Sequence, residues 1–120
     1  MKLDLYYERL MTNKITTLEY IHFRKQSLRL VQKACRRYCL DEIVLNTAAK
    51  IEIYDNVYIK SLFKTMKSYD KTKSSFCTYF YYKALSAARV EAGKAVRRIK
   101  VLNTFPLIEE ISEDTSAEED

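Results

Sequence analysis

Residues 69–100 read YDKTKSSFCTYFYYKALSAARVEAGKAVRRIK, and this stretch decides the fold. Its start, Tyr69 to Ser74, is polar and turn-like, and Ser74 or Ser75 supplies an N-cap. From Phe76 to about residue 100 it reads as one helix. Aromatics come first (Phe76 and Tyr79-Phe80-Tyr81-Tyr82), then small residues (Ala84, Ala87, Ala88, Ala92, Ala95), then the basic end Arg97, Arg98 and Lys100. Four consecutive aromatics cannot share one core, because the helical period spreads them around most of the circumference. Tyr79 and Phe80 are expected to pack inward with Phe76, which leaves Tyr81 and Tyr82 near the surface. Lys83, Ser86 and Arg89 continue a band from those rings, and Lys94, Arg97 and Arg98 extend it.

Upstream, residues 3–12 read as a first helix broken at Asn13-Lys14. Thr16-Thr17-Leu18-Glu19 has the capping-box spacing. It opens a helix over about 17–39 with Leu28, Val31, Cys35 and Tyr38 on one face, interrupted near Lys25–Ser27 where the apolar rhythm fails. Asp41 is the expected cap of a helix over 42–53, and Asp55 of another over 56–68. In the latter, Ile59, Leu62, Met66 and Tyr69 step by 3, 4, 3 as an inner side, opposite Lys60, Lys64 and Lys67. Pro106 is expected to stop regular structure. With one Gly and one Pro in 120 residues, tight hairpins are nearly excluded. The expected fold is therefore all-α: a compact bundle of four to five helices over residues 1–108, core about 27–100, followed by a disordered acidic tail over 109–120.

Charge divides the same way. Residues 109–120 hold seven acids and no base, so residues 1–108 carry +12. A basic body with an acidic tail is a pattern of proteins that meet nucleic acid. A single glycine rules out phosphate-cradling loops and dinucleotide fingerprints. No apolar run reaches the roughly 18 residues of a membrane span. The opening MKLDLYYERL carries Asp4 and Glu8 where a secretion signal needs an uncharged stretch, so a cytoplasmic protein is expected. Cys35, Cys39 and Cys77 read as reduced packing thiols, and His22, the one histidine, as a surface or core-edge residue. No nucleophile–base set and no metal-ligand set is visible, so neither an enzyme nor a cofactor is expected. Exposed rings among bases suit unpaired nucleic acid.

Tyr69-Asp70, Lys73 and Phe76-Cys77-Thr78-Tyr79, leading into aromatics and a basic helix, resemble conserved region 2 of bacterial sigma factors of the sigma-70 family. There an FD…K-G…FSTYA stretch precedes a helix with paired aromatics. SLRLVQKACRRYC at 27–39 resembles the family's first region-2 helix at Leu30, Val31, Ala34 or Cys35, and Tyr38. Ser74 stands where the family has a glycine, the loop is one residue short, and tyrosines replace the paired tryptophans. The short late sigma factors of tailed phages, which recognise a −10-like element alone, are the most similar members.

The resemblance implies a transcription-initiation factor of the host cytoplasm. It would bind the clamp helices of the largest subunit of core RNA polymerase through Glu52, Asp55, Asn56, Lys60, Lys64 and Lys67. It would recognise and melt a −10-like promoter element, holding the non-template strand with Tyr81, Tyr82, Lys83, Ser86 and Arg89 and the upstream phosphates with Lys94, Arg97, Arg98 and Lys100. Phe105, Leu107 and Ile108 form a short apolar cluster, a candidate anchor to polymerase or a co-activator. Two other classes fit the charge pattern: a helical single-stranded nucleic-acid-binding protein independent of polymerase, and a protein–protein adaptor with basic faces.

Overall fold

A short signal ends or begins most of the helices. The computed structural model describes residues 2–44 and 46–110. They form α1 (Lys2–Met11), α2 (Thr17–Arg37), the single turn α3 (Leu40–Ile43), α4 (Thr47–Ser68) and α5 (Phe76–Glu110), with no strand among the described residues. After α1, Asn13 takes a left-handed φ of 58°, which asparagine tolerates. The Lys14 N–H then reaches the Arg9 carbonyl at 2.8 Å, and that of Asn13 the Leu10 carbonyl at 3.3 Å. This double closure is a Schellman motif and satisfies carbonyls that the helix end leaves open. The capping box forms as its spacing predicts: the Glu19 N–H donates to Thr16 Oγ1 at 3.2 Å, and the Thr16 N–H donates to Glu19 Oε1 at 3.0 Å. Ser75 caps α5, its Oγ accepting from the Thr78 N–H at 3.2 Å. A second acceptor comes from far away in sequence, since Asp4 Oδ1 of α1 takes the Phe76 N–H at 2.7 Å.

Four expectations are corrected. First, α2 runs unbroken through Lys25–Ser27, because Ser27 is an interior residue. Its Oγ donates to the Phe23 carbonyl at 2.6 Å, so the Tyr58 hydroxyl, 2.8 Å away, donates to Ser27. Second, the helix expected over 42–53 starts only at Thr47 and runs without a break into the one expected over 56–68. The cap of α4 is Asn46, with its Oδ1 accepting from the Ala49 N–H at 3.0 Å; Asp55 is not a cap, and the side chain of Asp41 lies outside the described residues. Asp55 sits within α4, 3.8 Å from Arg24 Nη2 of α2. Third, α4 is rotated relative to its apolar rhythm. Its buried positions are Ile53, Val57, Tyr58, Ser61 and Thr65, while Ile59 is 64% and Met66 47% exposed. Fourth, helical backbone continues past Pro106 to Glu110. Proline's fixed φ of about −65° lies in the helical range, and the cost of passing it is one main-chain hydrogen bond and a crowded carbonyl. Residues 111–120, and with them most of the expected tail, lie outside the described residues.

The core has two parts. At the start of α5, Phe76 stacks on Phe80 and on Tyr7 of α1, with centroids 5.2 and 4.6 Å apart. Phe23 of α2 and Tyr69 close the cluster at 5.4 and 6.1 Å from Phe76. Further along, α5 buries Ala84, Ala87, Ala88, Ala92 and Ala95. Small residues of the neighbouring helices are fully buried as well: Ser27 and Ala34 of α2, Ser61 and Thr65 of α4. The hydroxyls cost little there, because Ser61 donates to the Val57 carbonyl at 2.6 Å and Thr65 to the Ser61 carbonyl at 2.7 Å. The bulkier Ile59, Phe63 and Met66 lie on the other side of α4, facing outward. Cys35 is buried and Cys77 half-buried, but Cys39 is exposed, contrary to a packing role, at a left-handed φ of 59° after α2.

Candidate nucleic-acid interface

The outward face of α5 is a single stripe. Tyr82, Ser86, Arg89, Gly93 and Arg97 follow at spacings of 4, 3, 4 and 4, which keeps them on one side of a helix. All are exposed except Gly93, which is half-buried, and Tyr82 reaches 63%. Arg89 and Arg97 make no ion pair with any described residue. With Ser86, Val90 and Gly93 they line a shallow groove of about 450 Å³.

The continuous band expected along α5 is divided in the structure. Neighbouring positions lie about 100° apart on a helix, so Arg97 and Arg98 cannot share the stripe. Lys94 and Arg98 instead line a groove of about 490 Å³ between α4 and α5, together with Glu52, Asn56, Lys60 and Glu91. Residues expected to meet DNA and residues expected to meet polymerase are therefore brought to one groove. Glu91 is buried at its wall, 3.6 Å from Lys60 Nζ. Lys83 is half-buried, its Nζ 5.1 Å from the Tyr79 ring centroid.

The two expected surface tyrosines also differ. Tyr81 is half-buried against the core and faces α2, where Lys33 Nζ lies 5.6 Å from its ring centroid. Its ring is 6.5 Å from that of Tyr82 at 49°, so the pair is not a parallel stack. Tyr82 alone presents an open face. The side chains of Lys100, Phe105, Leu107 and Ile108 lie outside the described residues.

On α4, Glu52, Asn56, Lys60, Lys64 and Lys67 are exposed and Asp55 is half-buried. Several are already engaged: Lys60 with Glu91, Asp55 with Arg24, and Lys67, whose Nζ sits 4.3 Å from the Phe63 ring centroid. The feature missed in the sequence is the apolar stripe Ile59, Phe63 and Met66, exposed by 64, 58 and 47%. A signal for it existed. Val57, Ser61 and Thr65, at successive spacings of 4, form an alternative inward row of smaller residues.

The loop before α5 is held from within. Asp70 Oδ1 accepts from the Thr72 N–H at 2.9 Å and from its hydroxyl at 2.6 Å. These bonds hold the Asp70 carboxyl below the usual carboxylate range, the hydroxyl contributing most. The Tyr69 hydroxyl donates to the Ser74 carbonyl at 2.9 Å, and burial pushes Tyr69 above the ordinary tyrosine value. Among the described residues no group of His, Cys, Asp and Glu is arranged to hold a metal ion, and no helix is long and apolar enough to cross a membrane. No family model, curated protein or solved structure matches the chain.

Proposed function

We propose that this chain is a sigma-like transcription-initiation factor, with no catalytic residue of its own, that docks on core RNA polymerase through α4 and captures an unpaired promoter strand on α5. The observation that carries the reading is the α5 stripe: an open tyrosine ring followed along one face by Ser86 and two arginines that no described acid neutralises. An aromatic face accepts a flipped base at about 1–3 kcal/mol per stack, offsetting the few kcal/mol of unstacking. The arginines fix the strand by its phosphates without reading sequence. Tyr81 supports Tyr82 from the core side rather than stacking beside it.

The apolar stripe of α4 supports a protein partner in addition to nucleic acid. Ile59, Phe63 and Met66 form an exposed apolar row flanked by Asn56, Lys64 and Lys67, an apolar centre with a polar rim. The partner is the polymerase clamp, by resemblance to sigma region 2, and the apolar row rather than the lysines is the centre of the contact. In this reading, supercoiled-template transcription by bacterial core polymerase becomes promoter-specific when the protein is added. Phe63→Ser weakens co-purification with core polymerase while the helical circular dichroism stays unchanged. Strong binding to single strands without any polymerase association would replace the reading by an independent single-strand-binding protein.

A further inference from the structure

Gly93 is the one glycine in the chain, and it lies far inside α5. Glycine is among the least favourable residues for a helix interior. Two internal reasons for keeping it are absent. Its backbone is not left-handed, since no glycine has a positive φ. Nor does packing require it: a Cβ would meet only the tip of Arg97, with Nη1 at 3.7 Å, an ordinary van der Waals contact. Neither the backbone conformation nor the packing of the bundle accounts for the missing side chain.

The surroundings define the chemistry that a ligand there would need. Arg89 and Arg97 stand one turn before and one turn after Gly93 on the same stripe, about 12 Å apart along the axis, and both are exposed. Ser86 adds a hydroxyl at one end of the groove. The nearest acid in sequence, Glu91, is turned inward to Lys60. The site is cationic and shallow, with the tip of Arg97 already beside the Gly93 main chain, which fits an anion carried on an extended backbone.

We propose that the groove over Gly93 seats the sugar–phosphate backbone of a nucleic-acid strand, with a phosphate gripped by Arg89 and Arg97 and resting directly on the α5 main chain. The inference rests on the reading that α5 faces nucleic acid, and it adds where the strand makes its closest approach. A methyl group at 93 lifts the phosphate off the helix and lengthens both charge-assisted hydrogen bonds.

The test uses the full chain, with labelled single-stranded and duplex oligonucleotides titrated at several salt concentrations. Gly93→Ala is expected to raise Tm by about 4 °C, because alanine favours the helix, yet to weaken nucleic-acid binding at least about fivefold. Arg89→Gln and Arg97→Gln are expected to lower the salt slope by about 1 each. If Gly93→Ala raises Tm and binds as tightly as the parent while the arginine variants lose affinity, α5 faces nucleic acid but Gly93 is not its seat. If neither arginine variant alters binding to either oligonucleotide, the reading of α5 and the seat both fail. Salt-sensitive binding to an acidic peptide, with none to oligonucleotides, would also overturn the proposal.

Discussion

α4 and α5 pack side by side, yet they divide their bulky apolar residues differently between core and surface. α5 turns Phe76 and Phe80 inward and shows solvent a tyrosine, a serine and arginines. α4 buries Ser61 and Thr65 beside Ile53, Val57 and Tyr58, and shows solvent Ile59, Phe63 and Met66. Burial thus follows the fit of neighbouring surfaces rather than the hydrophobicity of a helix taken alone. Where α5 is large, its partners form an aromatic cluster. Beyond the rings α5 buries alanines and Glu91, and the buried hydroxyls of Ser61 and Thr65 are satisfied within α4. The apolar residues left outside the bundle are available to another protein.

The strongest way to break this comparison is at the aromatic end. Phe80→Ala, in a site that is fully buried, should cost about 3–5 kcal/mol, read as a large fall in the denaturant midpoint. A loss below about 1 kcal/mol would mean that the cluster does not hold the bundle. The sharper contrast lies within α4. Thr65→Leu adds apolar area yet should destabilise by about 1–3 kcal/mol through overpacking. Phe63→Ser removes apolar area yet should stay within about 0.5 kcal/mol. The reverse order would restore the inward apolar rhythm and remove the proposed docking row.

A smaller effect is expected where α2 meets α4. Tyr58→Phe deletes the hydroxyl that donates to Ser27 and should cost about 1 kcal/mol. Burial raises Tyr58 above the ordinary tyrosine value, outweighing the nearby Arg24 charge. Folding therefore favours the neutral hydroxyl. That contribution is fully present below about pH 10 and is lost as pH rises through the higher folded value. The parent should lose stability above that pH more steeply than Tyr58→Phe. On the acid side, Glu19 and Asp70 are held low by hydrogen bonds from Thr16 and Thr72. Their contribution is present above about pH 4 and fades as pH falls through their lower folded values.

Signals confined to a few neighbouring residues were legible in the sequence. The Thr16–Glu19 box, the stop at Asn13 and the Ser75 cap each depend on groups at most five positions apart, so composition and spacing suffice. The inward turn of Phe76 and Phe80 was legible because aromatics that size have few other places to go. Asp55 misled because its carboxylate suits a cap equally well, and only the arrival of Arg24 from another helix decides its use. The same holds for Asp4, whose contact with Phe76 spans 72 positions. The division of the basic band was in principle readable from helical angles, since Lys94 and Arg98 fall a step of about 100° away from Gly93 and Arg97. What was not readable is that Glu52 and Asn56 of α4 lie opposite that flank.

The measurement that bears most directly on the central claim is open-complex formation by core polymerase with the parent protein and with Tyr82→Ala, on a fully paired promoter and on one already melted around its −10-like element. Loss of one stacked base should weaken opening of the paired promoter by about 1–3 kcal/mol, leave polymerase binding intact and be largely rescued on the melted template. Equal activity of the two proteins on the paired promoter would contradict the assignment of Tyr82 as the ring that receives a flipped base.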